Sequence, residues 1–122
     1  LKICIRTNYS NPPAHGARIV STILGDQGLR TMWEDELTTM RNRIASLRKL
    51  LVKGLEAQNI VDMGFIAEQR GMFSYSGLGP TQMERLREEH GIYGTNTGRM
   101  CVAALNHDNV GRVAQAIAAV RA

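Results

Sequence analysis

No apolar run in this chain approaches the ~20 residues that a membrane-spanning helix needs, so no membrane partner is expected. No charged start leads into a hydrophobic stretch and a small-residue cleavage site, so no secretory signal is visible. Only two cysteines occur, Cys4 and Cys101, with no CxxC spacing and no histidine at ligand spacing. Two buried free thiols in a reducing cytosol are the expectation. His15, His90 and His107 are scattered, which excludes the usual spacings of a metal site. There is no phosphate loop and no GxGxxG. Ser10, Ser74 and Ser76 lack the strand–turn–helix elbow of a serine nucleophile. Lys2, Lys49 and Lys53 are the only lysines. The last two fall on the polar side of a long helical segment and Lys2 lies near the first residue, so none looks like a desolvated Schiff-base lysine.

What is present fits one soluble domain: 122 residues, 43% of them hydrophobic. The charge, 15 basic against 11 acidic residues, is +4. That permits an anionic partner and is too small to argue for nucleic acid. The first residue is Leu1, not methionine, which suggests a fragment or a processed product.

Leu1 to Ile5 reads as a short extended stretch, followed by an irregular loop from Arg6 to Pro13. Ala14 to Leu24 has helical spacing at Ile19, Val20, Ile23 and Leu24. After Gly25-Asp26, an apolar stripe runs Leu29, Trp33, Leu37, Met40, Ile44, Leu47, Leu51 and Leu55, one face of an α-helix. Arg41, Arg43, Arg48, Lys49 and Lys53 read as its solvated face. Ended at Gly54, this helix would measure about 40 Å, while a chain of this size folds to a diameter of roughly 35 Å. A spine helix shared by two domains explains a stripe that is apolar along its whole length; a coiled coil is the rival, without a consistent flanking charge pattern.

Ile60 to Ile66 reads as a turn and a strand. Gly71 to Gly79 reads as a strand alternating Phe73 and Tyr75 with small residues. Pro80 at a first helical position and Gly91 as terminator bound a short helix. Ile92 to Thr95 and Arg99 to Ala103 read as a hairpin around an Asn-Thr-Gly turn. Asn106 is positioned to cap a last helix carrying Val110, Val113, Ile117 and Val120. The order implies an α+β fold with a small sheet.

Two arginines stand apart. Arg99 opens an apolar strand after a tight turn, and Arg6 follows an apolar run into the Pro/Asn loop. Each is either a structural ion pair or a guanidinium fork aimed at a carboxylate, which arginine can grip bidentately and lysine cannot. Phe73 and Tyr93 are expected in the core.

The stretches "RTNYSNPPAHGARIVSTIL", "RGMFSYSGL", "RLREEHGIY" and "GRMCVAALN" resemble, in order and over essentially all 122 residues, the C-terminal part of the aspartate and aromatic amino acid aminotransferases. These are pyridoxal-phosphate enzymes, and "QRGMFSYSGL" with "GRMCVA" is most similar to the bacterial aromatic (tyrosine) members. The resemblance implies the small-domain type of that fold: a long spine helix, a small sheet with a hairpin, and flanking helices. Residues 1–26 would close the large domain, and 27–122 would form the linking helix and C-terminal small domain. It implies that Arg99 binds the substrate's α-carboxylate, that Met72 to Ser74 with Phe73 line the same pocket, and that Arg6 meets the distal carboxylate of a dicarboxylic substrate. The loop with Tyr9, Ser10 and Asn11 would lie at a homodimer interface, carrying Arg6 into the neighbouring subunit's site. "TNTGR" and "VAALN" depart from the commoner Ser-Gly-Arg and Val-Ala-Gly forms.

The resemblance implies a cytoplasmic transaminase exchanging the amino group of aspartate or aromatic amino acids with 2-oxoglutarate. It places the lysine, aspartate and phosphate-binding residues for pyridoxal 5'-phosphate upstream. The 122 residues alone are then expected to be inactive. From the residues themselves, two other readings stay open: a non-catalytic anion- or RNA-binding α+β module, which a salt series would reveal, and a scaffold or dimerisation fragment without a ligand.

Overall fold

A computed structural model describes residues 1–9 and 13–122. The chain divides into two compact units, Leu1–Thr39 and Met40–Ala122.

The first unit opens with helix α1 (Lys2–Asn8), in place of the expected extended stretch and with Arg6 in its last turn. A five-residue window with apolar residues at Leu1, Ile3 and Ile5 does not separate period 2 from period 3.6. Local bonds decide it: Ile5 N–H donates to Leu1 O at 3.0 Å, and the Thr7 hydroxyl reaches back to the carbonyls of Ile3 and Cys4. Helix α2 (His15–Gly25) follows as expected, and Asp26 caps the next element by accepting from Leu29 N–H at 2.9 Å. That element is α3 (Gln27–Glu56), 30 residues and about 45 Å long, which continues through Gly54. The residues of its stripe that lie in this unit, Leu29, Trp33 and Leu37, are about two-fifths exposed, and no residue of α1 or α2 is buried.

The second unit holds the core. Here the same stripe is covered from Leu47 on: Leu47, Leu51 and Leu55 are at most 2% exposed, while Met40 at the unit's start is 51% exposed. Helix α3 ends in a left-handed residue, Asn59 at φ 63°, with Ile60 N–H returning to Leu55 O at 3.0 Å. The strand expected within Ile60 to Ile66 is absent. Turns and a one-turn helix, α4 (Phe65–Glu68), stand there, bringing Met63 and Ile66 into the core.

Strand β1 (Phe73–Tyr75) precedes helix α5 (Pro80–His90). The α5 ends follow the residues expected to set them. Pro80 occupies the first turn, the Gln82 side chain accepts from Gly79 N–H at 3.0 Å, and Gly91 closes the helix at φ 63°. Strand β2 (Arg99–Cys101) runs into a 3-10 turn (Val102–Ala104), and helix α6 (Val110–Arg121) packs on α5. Asn106 does not cap α6 directly. Its Oδ1 accepts from Asp108 and Asn109 N–H, folding the turn that leads into the helix. Gly54 lets α3 and α6 approach: a Cβ built there would lie 2.9 Å from Ala114 Cβ.

The sheet has two strands, paired antiparallel with Phe73 opposite Cys101, Ser74 opposite Met100 and Tyr75 opposite Arg99. The expected hairpin is therefore only half present. The Asn-Thr-Gly turn forms, with Gly98 at φ 83° and Thr95 N–H donating to Arg99 O at 3.0 Å, but Ile92 to Thr95 is not a strand. The partner of β2 is β1, on the far side of α5 in the chain. At Gly94 the backbone passes so close to Met83 that a Cβ would sit 2.4 Å from its Cε.

Candidate functional site

The site is built on the two-stranded sheet. Ser76 N–H donates to Gly98 O at 2.8 Å and Val102 N–H to Met72 O at 2.9 Å. In the antiparallel pattern, residues 72, 74 and 76 thus turn their backbone groups toward β2, and Phe73 and Tyr75 turn theirs to the outer edge. That edge is capped by side chains. Gln69 acts as a one-residue strand, its Nε2 donating to Tyr75 O at 3.0 Å and its Oε1 accepting from Tyr75 N–H at 2.9 Å. Arg48 Nη2 donates to Phe73 O at 2.9 Å. An edge so occupied cannot recruit another strand.

Side chains alternate across the sheet. On one face Ser74, Ser76 and Met100 are buried. On the other, Phe73 and Tyr75 are 47% and 57% exposed, so the alternation has the small residues inside and the aromatics outside. Arg99 shares this outer face. It stands directly across from Tyr75 and diagonally from Phe73, with its guanidinium carbon 4.9 Å from the centre of the Phe73 ring. The Thr95 hydroxyl accepts from Arg99 N–H at 3.1 Å, and Arg87 donates to Asn96 Oδ1 at 3.0 Å, bracing the turn that presents Arg99. Among the described residues no carboxylate pairs with Arg99. An exposed guanidinium on an aromatic platform, without an acidic partner, is a donor fork open to an incoming carboxylate.

The family resemblance joins Arg99 and Phe73, and the structure brings the two side chains together. Phe73 and Tyr93 are not core residues: Tyr93 is 76% exposed. Ser74 does not share the outer face with Phe73. It is 4% exposed on the inner face and bonded to Arg48. Arg6 is exposed on α1 in the other unit, with no carboxylate partner among the described residues; Tyr9, at the end of α1, is 70% exposed. Ser10 and Asn11 lie outside the described residues. The cysteines are both free, but Cys4 is exposed and Cys101 half-buried, since Cys4 belongs to a helix with no covered face.

The largest departure is Arg48. Expected on a solvated face, it is 2% exposed. Its guanidinium donates to the carbonyls of Ile66 at 3.4 Å, Gly71 at 2.6 Å and Phe73 at 2.9 Å, and to the Ser74 hydroxyl. Burial pushes its pKa below the usual arginine value. Arg43 similarly donates to Ala103 O at 3.2 Å and Leu105 O at 2.7 Å, and Gln69 also escapes sequence reasoning. A signal for Arg48 exists: Ile44, Leu47, Leu51, Val52 and Leu55 form a stripe wide enough to include position 48.

The described residues contain no group of three or more His, Cys, Asp or Glu side chains that could hold a metal ion, and no helix long and apolar enough to cross a membrane. Lys2, Lys49 and Lys53 are all exposed.

The family model for aminotransferase class I and II matches residues 1–117. The chain is 52% identical to the aspartate aminotransferase of Pseudomonas aeruginosa, over 98% of this chain and 30% of that protein. It is 49% identical to the aromatic-amino-acid aminotransferase of Escherichia coli, over the same shares. Among solved structures, the aromatic-amino-acid aminotransferase of Burkholderia pseudomallei, covalently bound to pyridoxal phosphate, superposes with a TM-score of 0.91 at 58% identity. That superposition covers 95% of this chain and 29% of the other. The chain thus spans about 30% of the length of the two relatives it matches by sequence.

Proposed function

The chain belongs to the class I and II aminotransferases, and from that premise we propose that it is the carboxylate-gripping segment of an amino acid transaminase. The complete enzyme exchanges the amino group of aspartate or an aromatic amino acid with 2-oxoglutarate. In this reading Arg99 takes the α-carboxylate common to every substrate, and Phe73 flanks it. Arg6 takes the distal carboxylate of a dicarboxylic substrate, delivered across a cytoplasmic homodimer's interface by the loop with Tyr9, Ser10 and Asn11. Residues 1–26 end the large domain, and 27–122 supply the linking helix and small domain.

Pyridoxal 5'-phosphate is the cofactor this reading requires, and it supplies the electron sink for cleavage at the amino acid's Cα. The residues present do not fit its covalent attachment, because all three lysines are exposed and none is desolvated. In this reading that attachment belongs to residues outside these 122. What this chain contributes is orientation. Two charge-assisted contacts at opposite ends of a dicarboxylate leave it little rotational freedom, and held geometry is a large part of the rate of such reactions.

The single observation that carries the reading is Arg99: exposed, seated over Phe73, braced by its turn, and without an acidic partner among the described residues. The test is Arg99→Lys in the complete enzyme. Lysine keeps the charge and loses the fork, removing charge-assisted bonds that contribute about 1.5–3 kcal/mol each. A fall in kcat/KM of less than about tenfold, or ~1.4 kcal/mol, would make Arg99 a structural residue.

A further inference from the structure

We propose that Arg48 is a positioning residue for the carboxylate grip: from the rear of the sheet it fixes β1, and through β1 the Phe73 platform on which Arg99 rests. The proposal depends on the reading of Arg99 above.

Arg48 is a buried cation whose four acceptors are all uncharged, three carbonyls and one hydroxyl. Among the described residues no carboxylate pairs with it. A buried charge without a countercharge is costly, and an apolar side chain of similar volume would ordinarily serve a core better. What only the guanidinium offers is a planar fork of five donors that can hold several acceptors in fixed relative positions. Nη2 holds the carbonyls of Gly71 and Phe73, and Nη1 holds the Ser74 hydroxyl and Ile66 O. Two consecutive residues of β1 are thereby tied to α3.

The sheet has need of such a tie. Two strands of three residues each are marginal as an independent structure. Arg43, five residues earlier on α3, holds the other strand's exit through Ala103 O and Leu105 O. The long helix therefore holds β1 and the segment that follows β2, and the outer face is left to Phe73 and Arg99. Since the Phe73 carbonyl is an Arg48 acceptor, loss of Arg48 frees the very residue whose ring lies 4.9 Å from the Arg99 guanidinium. Misplacement of a binding group by about 1 Å can lower a rate by ~100-fold.

The experiment uses the complete enzyme and two competitive inhibitors of one shape, 3-phenylpropionate and its neutral amide, 3-phenylpropanamide. The ratio of their inhibition constants reads the carboxylate grip, whereas general structural damage weakens both alike. Arg99→Leu is expected to abolish the preference for the acid. Arg48→Met is expected to cut it by about tenfold or more. That is beyond what the ring alone contributes, because β1 is the strand paired with β2 and a displaced β1 shifts Arg99 as well as Phe73. The amide's constant should change less than about threefold, and Arg48→Lys and Ser74→Ala should cut the preference by about threefold each. If Arg48→Met does not fold, the other two variants carry the test, because Arg48→Lys keeps a cation at position 48 and Ser74→Ala keeps Arg48 with its three carbonyl acceptors. The proposal is overturned if Arg99→Leu abolishes the preference but folded Arg48→Lys and Ser74→Ala retain it within about twofold. If Arg99→Leu leaves the preference intact, the reading of Arg99 fails first and the proposal falls with it.

Discussion

Replacing Phe73 separates what its ring does for Arg99 from what its bulk does for the sheet. The ring lies 4.9 Å from the guanidinium carbon and is 47% exposed, so the cation–π attraction belongs at the weak, solvated end of its range, about 0.5–1 kcal/mol. Phe73→Leu removes the quadrupole and keeps an apolar side chain at the same register position. The expected loss is that attraction, a fall of about two- to fivefold in kcat/KM. It should be similar for aspartate and for tyrosine, because the α-carboxylate met by Arg99 is common to both. Phe73→Tyr, which keeps the aromatic face, should stay within about twofold of the parent. The assay is steady-state kinetics of the complete enzyme on both substrates. Two results would refute the reasoning. A loss of more than ~100-fold would mean that Phe73 itself meets the reacting groups. A loss confined to tyrosine would mean that the ring serves the substrate side chain rather than Arg99.

Other outcomes follow from the same geometry. Gly54→Ala should destabilise by about 1–2 kcal/mol despite a better helix propensity, because its Cβ would lie 2.9 Å from Ala114 Cβ. Gly111→Ala, with open space at its Cβ, should instead stabilise by about 0.5 kcal/mol; denaturant titrations of the two variants should move in opposite directions. Arg121 donates to both carboxylate oxygens of Asp62, at 2.6 and 2.7 Å, and holds that carboxyl below the usual range. A depressed carboxylate pKa stabilises the fold above the unfolded value near ~3.9 and ceases to do so as pH falls through the folded value. The melting-temperature gap between the parent and Asp62→Asn should therefore be present at neutral pH and vanish in acid. Arg6→Ala should lower kcat/KM for aspartate far more than for tyrosine. In hybrids with chains lacking the cofactor lysine, aspartate activity above that of either parental homodimer is expected, because the lysine-deficient chain lends its Arg6 to its partner's site.

The elements with strong local markers were legible in the sequence. Helix α3 announced itself by its stripe, and α5 by Pro80 and Gly91. The stripe also carried information beyond its helix. Its residues from Leu47 on meet a core within the second unit, and Leu29, Trp33 and Leu37 remain exposed in the first. Elements that depend on distant partners were not legible. Strand β2 pairs with a strand on the other side of α5, and no local pattern distinguishes that from a hairpin with Ile92 to Thr95. Helix α1 was missed because five residues cannot separate two periods. At the site, Arg99 stood out as an arginine opening an apolar strand, whereas the pattern around Phe73 pointed to the core and only the family resemblance set it beside Arg99. Arg48 was not legible, because a narrow reading of the stripe assigns every arginine on α3 to solvent. Its burial is stable only with carbonyls that two other segments bring to it, and helix periodicity says nothing of those.

The central claim is that the Arg99 fork receives the substrate's carboxylate, and a crystal structure of the complete enzyme with bound maleate tests it most directly. The expected result is one maleate carboxylate in bidentate contact with the Arg99 guanidinium at about 2.7–2.9 Å, with the Phe73 ring still beneath it. A carboxylate bound elsewhere, with Arg99 closed in an ion pair to a protein side chain, would contradict it.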